Sequence, residues 1–167
     1  MSLYQASIPV FQHQLKVLSD ILTIGQKDAE ARKIDPSVYL NARLAPDMLP
    51  LTRQVQITSD TVKAGAARLA GAESPSFPDD ETTFEALQDR IKKTLAYLET
   101  LKPAQIDGQE GRDITVSSRS GKERKFKGHD YLYTYALPNL FFHITTAYAL
   151  LRHNGVPLGK ADFLGAR

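Results

Sequence analysis

The chain has 167 residues and a mass of 18.5 kDa, with 42% hydrophobic and 24% charged residues, so one globular domain over 1–167 with a sizeable core is expected. Its 21 basic and 19 acidic residues leave a net charge of +2, and the pI of 8.8 reflects that small excess, which argues against nucleic acid as a partner. There is no cysteine, which excludes disulfides, thiolate metal sites and cysteine nucleophiles. The first residues, MSLYQASIPVFQHQLKVLSDIL, lack a basic leader and an unbroken apolar run. They do not read as a signal peptide, and a cytoplasmic location is expected.

Residues 3–32 read as a long helix. Tyr4, Ile8, Phe11, Leu15, Leu18 and Leu22 recur at spacings of four and three, and Val10, Val17, Ile21 and Ile24 widen the stripe. Pro9 falls near its first turns. A short helical turn follows over 35–42, with Asp35 as cap and Pro36 in the first helical position.

A second long helix is expected over 47–71, capped by Asp47, with Pro50 in the first turn and Gly71 at the end. Leu51, Val55, Thr58, Val62, Ala66 and Leu69 form its apolar stripe. Gln54 borders that stripe, whereas Arg53, Gln56 and Asp60 point away from it. Gly65, Ala66 and Ala67 make this helix thin, so a neighbour can approach closely.

Pro75 and Pro78 make 74–80 a loop. Thr82 and Glu85 are spaced as a capping box for a third helix over 83–101, lined by Phe84, Leu87, Ile91, Leu95, Leu98 and Leu101 and stopped by Pro103. The period then changes. Ile114, Val116 and Ser118 alternate with Thr115 and Ser117, and Arg124–Lys127 brackets Phe126, so 113–127 reads as a β-hairpin turning at Arg119-Ser120-Gly121. A lone hairpin is marginal and should pack on the bundle or on a second subunit. The basic cluster Lys122, Arg124, Lys125 and Lys127 is interrupted by Glu123.

The last helix is expected over 128–154, kinked near Pro138 and closed by Gly155. From Tyr131 to Leu151 it carries no charged side chain, a run of 21 residues. Length alone would let it cross a bilayer, but its tyrosines, threonines, Asn139 and His143 fit the centre of a soluble bundle better. No membrane partner is expected. The tail beyond 155 places Pro157, Leu158, Phe163 and Leu164 where the chain can fold back.

Tyr135, Asn139, His143 and Thr146 fall on one stripe of this helix, and Gln54 is the best-placed inward group to meet them. A histidine and an asparagine one turn apart in a core form either a network that fixes helix register or the wall of a small-ligand pocket. The other histidines have blander settings. His13 lies among Gln12, Gln14 and Lys16, His129 opens its helix, and His153 sits in a last turn where a cation is favoured. The helical carboxylates Asp20, Asp60, Asp89 and Glu99 fall on polar faces, and no buried acid pair is visible. Glycine-rich phosphate loops and a nucleophile elbow are absent from the sequence. A metal would rely on His143, whose positions four before and four after are Asn139 and Ala147.

The segments ARLAPDMLPLTRQVQ (42–56), ARLAG (67–71) and ALPNLFFHITTAYALLRHNGVPLGKADFLG (136–165) resemble an uncharacterised domain-of-unknown-function family within the DinB/YfiT-like metalloenzyme superfamily. The resemblance spans nearly the whole chain. It implies an all-α, DinB-like four-helix bundle of up-down-down-up order, here with a small β-hairpin between helices three and four, and it implies a homodimer. Superfamily relatives hold a divalent metal with one histidine on the second helix and two at i, i+4 on the last, and some are thiol transferases or isomerases. His143 can stand for one of these. Ala147 replaces its i+4 partner, and Gln54 or Gln56 takes the place of the second-helix histidine. The expectation is a metal-degenerate member without a cofactor, with Gln54, Tyr135, Asn139, His143 and Thr146 as pocket candidates or a structural dimer role. The alternative is a zinc- or nickel-dependent, thiol-transferase-like enzyme using His143 with non-histidine ligands.

Overall fold

Helix α1 (Leu3–Arg32) begins where Ser2 accepts a hydrogen bond from the Gln5 amide and ends where Lys33 turns left-handed at φ 54°. Ile8, Phe11, Leu15, Leu18, Ile21 and Leu22 are fully buried along it, as their spacing predicts, while Val10 and Ile24 stay half-buried. Pro9 lies within α1 without ending it. The computed structural model describes residues 2–117 and 121–166.

The short helix α2 (Pro36–Leu40) is capped by Asp35, whose carboxylate accepts from the Ser37 amide. Helix α3 (Leu51–Ala70) starts four residues later than expected, with Pro50 and not Asp47 at its N-cap. A residue before proline avoids the helical region, so Leu49 cannot carry a helix from Asp47 into Pro50. Gly71 closes α3 at φ 64°. Helix α4 (Phe84–Thr100) is capped by Thr83 and not Thr82, its hydroxyl accepting from the Ala86 amide. Pro103 begins a further turn, α5 (Pro103–Ile106).

Strands β1 (Asp113–Ser117) and β2 (Glu123–Lys127) pair antiparallel, Asp113 facing Lys127 and Ser117 facing Glu123. Ile114 and Val116 are buried, and Phe126 lies 5.8 Å from the Tyr131 ring and 5.4 Å from Tyr135, so the hairpin packs on its own bundle. Ser118 of the expected strand, with Arg119 and Ser120 of the expected turn, lies outside the described residues.

The expected last helix is three consecutive pieces: α6 (Gly128–Tyr131), a π-helical turn over Leu132–Ala136, and α7 (Leu137–His153). The interruption near Pro138 takes the form of a π turn. Pro138 has no amide to donate and its ring crowds the carbonyl four residues back, so the chain widens by one residue just before it. The tail folds back through α8 (Lys160–Phe163), where Phe163 meets Tyr148 edge-on at 6.0 Å. Leu164 does not join it and remains exposed.

Pairs between helices fix the topology. Ser19 meets Gln88 and Gln26 meets Glu85, so α1 and α4 run antiparallel. Gln54, Thr61 and Arg68 meet His143, Asn139 and Tyr131 in turn, so α3 and the last helix are also antiparallel. Arg53 reaches Asp79 just before α4, while Tyr97 late in α4 reaches Glu73 just after α3, so α3 and α4 run parallel. The order is up-down-down-up. A parallel pair demands a crossover, and residues 71–83 supply it. No helix among the described residues is long and apolar enough to cross a membrane.

Candidate functional site

The expected stripe on the last helix does not converge on one point. Tyr135 joins an aromatic cluster, stacked on Tyr131 at 5.7 Å. Asn139 donates from Nδ2 to Thr61 Oγ1 at 3.0 Å. Thr146 turns back on its own helix and donates to the Phe142 carbonyl at 2.7 Å. His143 crosses to α3, its Nδ1 lying 2.8 Å from Gln54 Oε1.

Gln54 is 2% exposed, so its amide is fully committed within the protein. Its Nε2 donates to the Leu49 carbonyl at 3.0 Å. A carbonyl can only accept, so the amide nitrogen must face Leu49 and the oxygen must face His143. Nδ1 of His143 is therefore the protonated nitrogen, and Nε2 is left as an acceptor without a partner among the described residues. Burial of the ring lowers its pKa, which keeps the imidazole neutral near pH 7. The Pro50 start of α3 matters here, because it leaves the Leu49 carbonyl positioned to hold Gln54.

Beside this pair, Phe142 stands edge-on to the His143 ring at 5.2 Å. Phe142 is 57% exposed and borders an open apolar hollow of about 410 Å³ lined by Leu44, Pro138, Phe141, Thr145, Thr146 and Ala149. Thr146 is the one expected pocket residue among those lining it. His13, His129 and His153 are all exposed and far apart in the chain.

A second polar centre escaped the sequence reading. Arg90 on α4 has a side chain only 1% exposed and is ringed by Asp60, Asp79 and Glu81 at 2.7, 3.0 and 2.8 Å. Gln56, expected to point outward, is buried and donates to Glu81 at 2.7 Å. One signal was present. Arg90 stands three after Leu87 and four before Thr94, on the buried stripe of its helix, and Thr94 closes a buried hydroxyl pair with Ser59 at 2.7 Å.

Residues 3–164 match the family described as Domain of unknown function (DUF1993). The chain belongs to that family. This DUF1993 member is similar to the crystal structure of a DinB family member protein from Shewanella denitrificans, with a TM-score of 0.90 and 42% identity over 99% of this chain and 93% of that one. No curated protein matches. The bundle is thus DinB-like, as its sequence resemblance implied.

The donor set around His143 does not fit a zinc or nickel ion. It offers one imidazole, and Gln54 Oε1 beside it already accepts from Nδ1. Zinc and nickel sites draw on at least three strong protein ligands, and the uncharged run from Tyr131 to Leu151 supplies no carboxylate.

Proposed function

We propose that this DUF1993 chain is a metal-degenerate, DinB-like binding module in which the neutral imidazole of His143 receives a hydrogen bond from a small, largely apolar ligand. The observation that carries this reading is the directed bond from His143 Nδ1 to Gln54. That bond fixes one tautomer and leaves Nε2 as a basic, uncharged acceptor, while Phe142 and the adjoining hollow offer apolar contact. A ligand suited to this pairing carries one hydroxyl or amide N–H on an aromatic or aliphatic body. Titrating phenol- and benzamide-type fragments against ¹⁵N-labelled protein tests it. Saturable shifts of the His143 and Phe142 resonances support the reading, and their absence at about millimolar ligand, the weak end of specific binding, would sink it.

A homodimer is the second reading, carried by a different observation. Val38, Leu44, Leu49, Phe141 and Phe142 are large apolar side chains left exposed. The adjoining face of α7 is uncharged through Ala149, so two copies could meet there without burying a charge. Sedimentation at about 10–100 µM, a range set by ordinary dimer affinities, distinguishes dimer from monomer.

A further inference from the structure

The crossover 71–83 has no regular structure, and none of its residues is fully buried. It must nevertheless retrace the length of α3, a helix of 20 residues and about 30 Å, which thirteen extended residues of roughly 40 Å reach can do. It does so along the groove between α3 and α4, held by polar contacts in sequence. Tyr97 donates to the Glu73 carbonyl at 3.2 Å, Lys63 to that of Pro75 at 3.0 Å, and Arg90 to that of Pro78 at 2.9 Å. Arg53 then takes Asp79 at 2.6 Å, and Arg90 takes Glu81 at 2.8 Å. The one large apolar side chain of this stretch, Phe77, lies half-buried with Lys63 Nζ 4.0 Å and the Arg90 guanidinium 5.8 Å from its ring centre.

We propose that residues 72–82 are a charge-fastened strap that opens as a unit in acid while the helical bundle stays folded. The charged groups facing one another are Arg53, Asp60 and Lys63 on α3, Arg90 on α4, and Asp79 and Glu81 on the strap. Three cations meet three carboxylates, and two of those carboxylates belong to the strap. The hydrogen bond from Arg53 holds the Asp79 carboxyl below the usual carboxylate range. Burial pushes Glu81 upward, but hydrogen bonds from Arg90 and Gln56 outweigh it and leave its carboxyl lowered as well. Groups lowered in the closed state stabilise closure fully above their ordinary values near pH 4, and that contribution is lost as pH falls through the lowered values.

Protonated strap carboxyls would leave Arg90 buried with Asp60 alone, a costly arrangement for an ion out of water. Opening hydrates it. The core clusters of the bundle contain no residue from 72–82, so the helices keep their packing. The polar hollow of about 300 Å³ that Asp60, Lys63 and Ala64 share with Ser74–Phe77 and Asp79 would then lie open. Such low-stability units, rich in exposed backbone and poor in apolar contact, are those that open independently.

The chain has no tryptophan, so Phe77→Trp gives a single fluorescent reporter on the strap. In an acid titration its emission should change at higher pH than the loss of helical circular dichroism. In the same background, Asp79→Asn with Glu81→Gln should show open-form emission at pH 7 with helix content unchanged. Without the tryptophan, the same double substitution should speed cleavage of the Glu73–Ser74 bond by a glutamate-specific endopeptidase by about tenfold or more, since cleavage tracks the open population. Emission and helix signal changing together in the parent, or parental cleavage at pH 7 in the double variant, overturns the proposal.

Discussion

Gln54 and His143 meet through one hydrogen bond whose direction is dictated by a third group. Because Leu49 offers Gln54 only a carbonyl, the glutamine oxygen is turned to His143, and the imidazole carries its proton on Nδ1. The pair joins α3 to the last helix across 89 residues of sequence.

Breaking the pair should cost stability. His143→Ala leaves the buried Gln54 oxygen unpaired beside a void, and a loss of roughly 1–3 kcal/mol is expected. A double-mutant cycle with Gln54→Ala should give a coupling of about 0.5–1.5 kcal/mol from chemical denaturation. Additive losses would mean that the bond contributes nothing of its own.

The pH dependence has a definite sign. Burial lowers the His143 pKa in the folded state, so the unfolded chain binds its proton more readily. The contribution of neutral His143 is full above the unfolded value near 6.5 and is lost as pH falls through the lowered folded value. Denaturant midpoints measured from pH 7.5 down to about 5, the window below the free histidine value, should fall in the wild type and flatten in His143→Gln. A slope unchanged by the substitution would assign the effect elsewhere.

Two glycines in helices should respond oppositely to alanine. A Cβ at Gly65 would lie 3.5 Å from the Phe11 ring, an ordinary contact, so Gly65→Ala should stabilise by up to about 1 kcal/mol through helix propensity. A Cβ at Gly25 would lie 3.0 Å from Leu151 Cδ2, and the strain should cancel or reverse that gain. Thermal melts of the two variants, run side by side, give the comparison.

If the uncharged face of α7 mediates self-association, Phe142→Asp should shift sedimentation toward monomer without loss of helix signal. Phe142 is 57% exposed, so the charge meets water in the monomer and desolvation only across an interface.

The long helices were legible in the sequence because their apolar stripes repeat over many turns; Leu15, Leu18 and Leu22 sit where their spacing placed them. Helix starts were less so. At Thr82 and Thr83 two adjacent residues could each cap, and the geometry of the incoming strap selects Thr83. Asp47 failed as a cap because Pro50 restricts Leu49, a constraint that a list of capping residues does not contain. The partnership of His143 and Gln54 was within reach, since both lie on inward stripes of neighbouring helices. The scattering of Tyr135, Asn139 and Thr146 was not. The π turn over Leu132–Ala136 advances the helix by an extra residue, so Tyr135 does not keep the stripe that an uninterrupted helix would give it. Gln56 lies off the apolar stripe of α3 by its helical angle, and Arg90 carries no motif; both are buried because the strap brings Asp79 and Glu81 to cover them.

The most direct test of a metal-free His143–Gln54 centre is the long-range ¹H–¹⁵N correlation spectrum of the His143 ring at pH 7, recorded before and after one equivalent of zinc. The account predicts a neutral imidazole protonated on Nδ1, with ring nitrogen shifts unchanged by the metal. A stoichiometric zinc-dependent shift of Nε2, reversed by chelator and accompanied by a higher melting temperature, would contradict it.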